Sequence, residues 1–500
     1  MTHQRPGILS PLVWSTVSSI GTQALAFVTF AILARLLGAA TFGLVAMAAL
    51  VIDLLLVISG AGINEAVVQR RALDESDADT AFWANLACGM LFTLLTIAMA
   101  PLVSLLFGQP GLTPVIMALA SIFTITPLGA IHTARLTRDL RFRSVAIRNL
   151  VAALAGAAVG LPMALLGFGV WALVAQRIAF AGALVLAVWA CYPWWPRMRF
   201  RRQTCAEMIR FGGYLGLSRT LNQLNIRCAE LISGALIGPV AVAFIRAGSR
   251  VMEVLNQVTY TPFQQVSMPV LARAVHGEAE HGGVEHGRVG HGGAALRESY
   301  LQLSRLSSFL MFPAFLGCVT IADEIVALVF GPGWEPVADA IRIFACAVVA
   351  SQMNNLIISA LAATGESRQV LSWTTLQIVA GIAAAALAAR WGWQAMLMTG
   401  VARGYLILPY GFHLLRKHTG ITLHEVISSL RPALSSSCLM AAIVLPGVQY
   451  CESRMSEPAI LALWLPIAAM IYLGAFAAQD RTVFVQLRRL AKARKARSAA

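Results

Sequence analysis

The fold of this chain is decided near its amino terminus by residues 12–64, which read LVWSTVSSIGTQALAFVTFAILARLLGAATFGLVAMAALVIDLLLVISGAGIN. The only charged side chains in this stretch are Arg35 and Asp53, and Leu37-Gly38 marks a turn between two apolar runs. An α-helix needs about 20 predominantly apolar residues to cross the hydrocarbon core of a bilayer. Two membrane-spanning helices are therefore predicted here, at residues 12–34 and 41–64.

The rest of the chain has the same apolar character. Hydrophobic residues make up 58% of the 500-residue sequence, charged residues make up 12%, and the mean hydropathy is +0.72. Soluble domains carry about 25% charged residues, so this composition excludes an ordinary soluble protein. We predict an all-α integral membrane protein of about fourteen transmembrane helices. Beyond the first two, the predicted spans are residues 80–107, 112–133, 145–166, 169–191, 211–237, 240–262, 303–330, 337–363, 368–389, 393–415, 432–450 and 457–478.

Positive charge lies on one side of the predicted membrane. Successive spans cross the membrane in opposite directions, so the even-numbered loops lie on the same side as the two termini. These loops and termini contain 28 of the 38 Lys and Arg residues. An excess of Lys and Arg marks cytoplasmic loops, so both termini are predicted in the cytoplasm. We attribute the net charge of +15 to this topology and to contact with anionic lipid headgroups, rather than to binding of nucleic acid.

An internal repeat appears at an offset of 200 residues. Leu36-Leu37-Gly38 aligns with Leu236-Ile237-Gly238, and Asp53 aligns with Glu253. The second copy begins six spans after the first, so the repeats run parallel, as in transporters built from two lobes. The predicted divisions are an N-lobe of six spans (1–200), a C-lobe of six spans (201–420), and spans 13 and 14 with a basic cytoplasmic tail (421–500).

A His/Gly insert interrupts the predicted C-lobe at residues 275–295. His276, His281, His286 and His291 recur in it every five residues. A His-rich tract can bind metal, but the neighbouring glycines leave nothing to pre-organise ligands, so we interpret the insert as disordered. The eight cysteines are scattered without a CxxC pair. Neither a metal site nor a cofactor is predicted.

Charged and polar residues form stripes within two neighbouring spans. In the eighth predicted span (240–262), Arg246, Arg250 and Glu253 are spaced so that they share one helical face. Span 7 carries a similar stripe, which consists of Arg219, Asn222, Gln223, Arg227 and Glu230. Ionisable groups at the centre of a bilayer cost about 2.5–3.5 kcal/mol each on insertion scales, so they should face protein or water.

Arginine outnumbers acid inside the predicted spans, with seven arginines against three clearly buried carboxylates. Guanidinium groups stay charged and bind phosphate through paired hydrogen bonds. We predict a water-filled cationic cavity between the lobes for an anionic, phosphate-bearing substrate. The alternative is that the arginines form ion pairs that hold helices together, since Arg227–Glu230 and Arg250–Glu253 are spaced i, i+3. The predicted substrate-binding residues are Arg219, Asn222, Arg227, Arg246 and Arg250.

Two carboxylates are candidates for ion coupling. Asp53 and Glu253 lie within predicted spans, and an intramembrane carboxylate can take up a proton or Na⁺ and couple transport to a gradient. A salt bridge to a neighbouring arginine is an equally good interpretation of either residue.

Three passages resemble a known family of transporters. They are GAGINEAVVQRRALDESDADTAFWANL (60–86); ARLTRDLRFRSVAIRN (134–149) with LGFGVWALVAQR (166–177); and VFGPGWEPVADAIRIFA (329–345) with ALAATGESRQVL (360–371). In order and spacing they are similar to Wzx-type polysaccharide flippases, the colanic-acid-exporter-like branch of the multidrug/oligosaccharidyl-lipid/polysaccharide exporter superfamily. The His/Gly insert departs from the family pattern.

The resemblance implies a flippase rather than an enzyme. Such proteins move an undecaprenyl-diphosphate-linked oligosaccharide repeat unit from the inner to the outer leaflet of the bacterial cytoplasmic membrane, for exopolysaccharide or O-antigen synthesis. The implied fold is two six-helix lobes in a V that work by alternating access. The implied partners are membrane lipid, a polysaccharide polymerase and a chain-length regulator, and the chain is expected to be a monomer.

Other functions remain open at this point. A multidrug or lipid II exporter of the same superfamily would share the fold, although cationic drugs would prefer an acidic cavity. A membrane polysaccharide polymerase would need catalytic residues at the outer face. The outside loops are short, and their polar candidates, Asp323, Glu324, Glu335 and Asp339, form no recognisable acid–base pair.

Overall fold

The computed structural model describes residues 9–60, 63–69, 74–139, 141–276, 292–452, 454–481 and 483. Helix dominates this part of the chain, and no β-strand occurs in it. The chain divides into two compact units, Met1–Arg246 and Ala247–Ala500. The boundaries predicted at residues 200 and 420 were drawn by counting spans, whereas the two compact units are defined by contacts. The predicted boundaries therefore stay a prediction.

The first unit begins with the longest helix, α1 (Leu9–Ser59), which breaks at Gly38. Gly38 has φ 72° and ψ 164°, a conformation that glycine adopts without the steric penalty of a side chain. The turn predicted at Leu37-Gly38 is thereby confirmed. The other helices of this unit are α2 (Ile63–Gln69), α3 (Glu75–Leu106), α4 (Leu112–Ile125), α5 (Pro127–Arg138), α6 (Phe142–Leu165), α7 (Val170–Cys191), α8 (Arg202–Leu236) and the start of α9 (Pro239–Thr259).

Small residues bring α6 and α7 together. Gly156 and Gly160 form a GxxxG pattern on α6, and a Cβ atom at Gly160 would lie 2.7 Å from Cβ of Gln176 on α7. Such patterns let helix backbones approach closely within membranes. This packing fixes the position of α7, which carries Arg177 one residue beyond Gln176.

The described residues of the second unit form the rest of α9 and nine further helices. They are α10 (Thr261–His276), α11 (Gly292–Thr320), α12 (Ala322–Val329), α13 (Val337–Cys346), α14 (Val348–Ala363), α15 (Ser367–Ala388), α16 (Trp393–Thr419), α17 (Leu423–Glu452) and α18 (Glu457–Gln479). A short 3₁₀ turn, Ala389–Trp391, joins α15 to α16. Buried polar side chains link three of these helices, because Gln352 donates to Ser307 Oγ at 2.7 Å and Ser429 donates to Ser304 Oγ at 3.2 Å.

The all-α membrane fold predicted from the sequence is confirmed, but the count of fourteen spans is not. Within the described ranges, eight helices are long and apolar enough to cross a bilayer, or ten if two bent helix pairs count as one span each. The bends, each 45°, separate α4 from α5 and α13 from α14. Helix α1 contains two of the predicted spans, and α8, α9 and α16 do not meet the criterion. Their charged residues lower the mean hydropathy of these helices.

The His/Gly insert predicted at 275–295 lies mostly outside the described residues, which stop at 276 and resume at 292. Helices extend into both of its ends, since α10 finishes at His276 and α11 starts at Gly292. The prediction of disorder therefore remains a prediction for residues 277–291 alone.

Candidate functional site

Five charged residues from four helices of the first unit form a connected network of ion pairs. Arg177 Nη1 on α7 lies 3.1 Å from Asp53 Oδ1 on α1, and Arg246 Nη2 on α9 lies 3.5 Å from Asp53 Oδ2. Arg246 Nη1 also lies 2.8 Å from Glu230 Oε2 on α8, while Arg227 Nη1 lies 2.7 Å from Glu230 Oε1. We call this set the charge network.

The side chains at one end of the charge network are buried, and those at the other end are partly exposed. The side chain of Glu230 is 4% exposed, and those of Asp53 and Arg177 are 27% and 30% exposed. Three guanidinium groups meet two carboxylates, so the formal charge of the network is +1. Arg246 lies at its centre, because it contacts both carboxylates.

Three of the predicted site residues, Asp53, Arg227 and Arg246, come together in the charge network. Arg250 and Glu253 belong to the second unit, where they pair with each other at 2.9 Å. Arg219 and Asn222 lie on α8, but their side chains are outside the described residues. Each predicted arginine with a described side chain is paired with acid, as the ion-pair interpretation expects. An anion can bind these arginines only if it replaces a carboxylate as their partner.

Two members of the charge network, Arg177 and Glu230, were not among the predicted site residues, although the i, i+3 spacing predicted that Glu230 could pair with Arg227. The available signal was Asp53 itself. No arginine or lysine follows or precedes it by three or four residues along α1, so its counter-charge had to come from another helix. Which helix supplies it depends on tertiary packing, which helical periodicity does not reveal.

The linker between α7 and α8 is attached to the start of α3 by a second set of contacts. The backbone N–H of Arg197 donates to Asp79 Oδ1 at 2.9 Å, and that of Arg201 donates to Thr80 Oγ1 at 3.1 Å. Trp194 Nε1 donates to Glu75 Oε2 at 2.8 Å. We call these contacts the linker clamp, and they give a structural role to the acidic run at 74–79.

Two further contacts reinforce the linker clamp. Arg135 on α5 pairs with Glu75 at 3.0 Å and lies over the ring of Trp194, 4.5 Å from its centroid. Just before α3, the hydroxyl of Ser76 donates to Asp74 Oδ2 at 2.6 Å and holds the pKa of Asp74 below its usual value. The clamp thus satisfies the hydrogen bonding of the linker backbone at Arg197 and Arg201.

The described residues form an all-α membrane protein with a network of ion pairs among its helices, and comparison with known proteins supplies the family. A family model described as polysaccharide biosynthesis protein matches residues 32–339. The match covers more than half of the chain, which therefore belongs to this family. The resemblance predicted from the sequence is confirmed.

Curated relatives carry related names. The chain is 25% identical over 491 residues to the succinoglycan biosynthesis transport protein ExoT of Rhizobium meliloti (strain 1021), covering 97% of this chain and 96% of that protein. It is 22% identical over 365 residues to the lipopolysaccharide biosynthesis protein WzxC of Escherichia coli (strain K12), covering 72% and 70%.

Solved structures share the fold. The lipid II flippase MurJ in an inward closed conformation matches with a TM-score of 0.75 and 11% identity, over 94% of this chain and all of that one. An inward-facing multidrug resistance MATE family transporter matches with a TM-score of 0.56 and 16% identity, over 82% and 94%. At these identities the likeness describes the helical architecture alone.

Proposed function

We propose that this protein is a flippase that moves undecaprenyl-diphosphate-linked oligosaccharide repeat units from the inner to the outer leaflet of the bacterial cytoplasmic membrane. The observation that carries the proposal is the family match over residues 32–339 in a chain with the MurJ-like architecture. A relative named as a transport protein, at nearly full length, favours transport over a polymerase or another enzyme. The exported units would serve exopolysaccharide or O-antigen synthesis.

The charge network supports an anionic cargo. Arg246 and Arg227 share Glu230, so a diphosphate could replace a carboxylate partner without leaving a guanidinium unpaired. Hydrogen bonds between charged groups contribute about 1.5–3 kcal/mol each, so the exchange is close to balanced in energy. Such balance suits a carrier, which must both bind and release. The proposed diphosphate contacts are Arg219, Asn222, Arg227, Arg246 and Arg250.

The carboxylates have a second role in this proposal. When the diphosphate takes Arg246, Asp53 loses one of its two cationic partners and lies close to a negatively charged headgroup. Protonation of Asp53 would then relieve the repulsion, because a like charge favours the neutral form of a carboxyl group. We propose Asp53 as the coupling group of the first unit and Glu253 as its counterpart in the second.

The setting of the proposed flippase is the cytoplasmic membrane. The chain is a multi-pass membrane protein, and the charge bias of its loops favours cytoplasmic termini. We propose that it acts as a monomer that delivers repeat units to a polysaccharide polymerase and a chain-length regulator. Multidrug export is disfavoured, since a network of formal charge +1 repels cationic drugs.

Deletion of the gene tests the proposal directly. We expect undecaprenyl-diphosphate-linked repeat units to accumulate in the inner leaflet, and complementation to restore polymer at the cell surface. Lipid II should keep its normal leaflet distribution in the deletion strain. Accumulation of lipid II instead would assign the chain to the lipid II exporters, and normal surface polymer with no lipid-linked intermediate would contradict the proposal.

A further inference from the structure

A cavity of about 650 Å³, lined by both polar and apolar side chains, lies in the first unit, separate from the charge network. Cavities of this size are typical of small-molecule sites. It is bounded by α1, α2, α3, α5, α6 and α7. Its polar lining includes Ser59, Asn64, Asn85, Thr133, Thr137 and Arg148.

Arg148 is the charged group of the cavity, and its side chain is held by neutral partners. The residue is only 8% exposed. Its Nη1 donates to Thr133 Oγ1 at 2.6 Å, and its Nε and Nη2 donate to Asn149 Oδ1 at 3.2 and 2.9 Å. Within the part of the chain that the structure describes, Arg148 forms no ion pair.

These contacts leave the guanidinium unsaturated. A guanidinium has five N–H donors, and three are used, one on each nitrogen. The remaining two belong to Nη1 and Nη2, the paired geometry that binds a carboxylate or phosphoryl group through two parallel hydrogen bonds. A buried charge without a counter-ion is strongly unfavourable. The cavity therefore suits an oxyanion.

The rest of the lining suits the ring of a sugar. Asn85 Nδ2 donates to Asn64 Oδ1 at 3.1 Å, which fixes both amides and leaves further donors and acceptors for hydroxyl groups. Leu56, Pro127 and Leu184 supply an apolar surface in the same cavity. A pyranose presents this combination of hydroxyl edge and C–H face.

We propose that this cavity is a subsite for a sugar residue that carries an oxyanion, with Arg148 on the acidic group and Asn64 and Asn85 on the ring hydroxyls. The inference rests on the proposed function, which supplies a glycan as the cargo. Leu56 and Ser59 follow Asp53 on α1 by three and six residues, about 4.5 and 9 Å along the helix. The subsite thus adjoins the charge network, as neighbouring parts of one substrate would require.

Binding of simple probes to the purified full-length protein in lipid nanodiscs tests the subsite. We would titrate methyl glucuronide, methyl glucoside and inorganic phosphate and follow each by saturation-transfer NMR. Methyl glucuronide should bind saturably, and methyl glucoside about tenfold or more weakly. Arg148→Gln should weaken glucuronide binding about tenfold or more, and Arg148→Lys should recover part of it. Arg143→Gln, an exposed arginine on the same helix, is the matched control and should bind as the wild type does.

A second variant covers the case in which Arg148→Gln fails to fold. Thr137 is exposed and lines the cavity, so Thr137→Trp should obstruct the cavity and abolish glucuronide binding in a folded protein. If equimolar phosphate does not displace glucuronide, the subsite recognises an acidic group on the sugar. If phosphate does displace it, the subsite recognises a phosphoryl group. Either result supports an oxyanion subsite.

Two results would overturn the inference: binding of glucuronide by Arg148→Gln and Thr137→Trp at the wild-type affinity, or no binding of either anion by the wild type. These measurements require no transport. A negative binding result would therefore contradict the subsite alone. The proposed flippase function is tested separately by the deletion strain.

Discussion

The guanidinium of Arg177 lies 3.1 Å from the carboxylate of Asp53, across 124 residues of sequence. The pair joins α7 to α1 in the first unit. Both side chains remain about three-tenths exposed, which screens the interaction and reduces its contribution. The pair is thus better suited to change partners than to hold the helices together.

A double-mutant cycle tests this weak coupling. We expect Asp53→Asn and Arg177→Gln to interact by about 1 kcal/mol or less in stability, the range of exposed pairs. Thermal unfolding of the purified variants in detergent provides the measurement. A coupling of 3 kcal/mol or more, the range of buried pairs, would make the contact structural and remove the basis for partner exchange.

Glu230 should behave differently, because its side chain is 4% exposed and two arginines share it. Removing one partner of a buried ion pair costs about 3–5 kcal/mol, so Glu230→Gln should lower the melting temperature markedly. Glu253→Gln is the control. Its side chain is 41% exposed in its pair with Arg250, and its loss should cost less than about 1 kcal/mol. Equal shifts for the two variants would contradict the stronger burial of Glu230 in its ion pairs.

The packing of α6 on α7 predicts an asymmetry between two glycines. A Cβ atom at Gly160 would lie 2.7 Å from Gln176 Cβ, whereas one at Gly182 would meet nothing within 4 Å. Overpacking costs about 1–3 kcal/mol. Gly160→Ala should therefore destabilise the protein, and Gly182→Ala should leave the melting temperature unchanged or raise it. A stable Gly160→Ala variant would show that the helices can separate without cost.

The linker clamp predicts a protease-sensitive variant. Asp79 is 1% exposed and accepts the backbone N–H of Arg197, so Asp79→Ala leaves that donor without its partner. Trypsin should cleave the linker at residues 197–202 about tenfold faster in Asp79→Ala than in the wild type. Asp139→Asn, an exposed acid in the same unit, should digest at the wild-type rate. Unchanged cleavage of Asp79→Ala would mean that other contacts hold the linker.

The sequence pattern predicted the structural features that depend on residues within a single helix. Hydropathy and loop charge were sufficient for an all-α membrane fold, and the turn at Gly38 followed from one glycine between two apolar runs. The i, i+3 spacing also gave the pairs Arg227–Glu230 and Arg250–Glu253, both of which form. These features depend on neighbours in the chain.

Contacts between helices were not accessible in the same way. Arg177 on α7 and Asp53 on α1 meet because both helices pack against α6, and no periodicity in either helix specifies the partner. The bend between α4 and α5 has a local signal in Pro127, which cannot supply the helical N–H, but the equal bend between α13 and α14 has no proline. Nothing in the sequence marked Arg148 as a site residue, because its burial depends on helices distant in sequence.

Flipping by the purified protein tests the central claim most directly. In proteoliposomes that contain an undecaprenyl-diphosphate-linked repeat unit, the wild type should move the lipid between leaflets. Arg246→Gln should reduce the initial rate about tenfold or more, since one charge-assisted hydrogen bond contributes about 1.5–3 kcal/mol and tenfold corresponds to 1.4 kcal/mol. Arg390→Gln, an exposed arginine in the short turn after α15, should retain the wild-type rate. Full flipping by a folded Arg246→Gln variant would contradict the account.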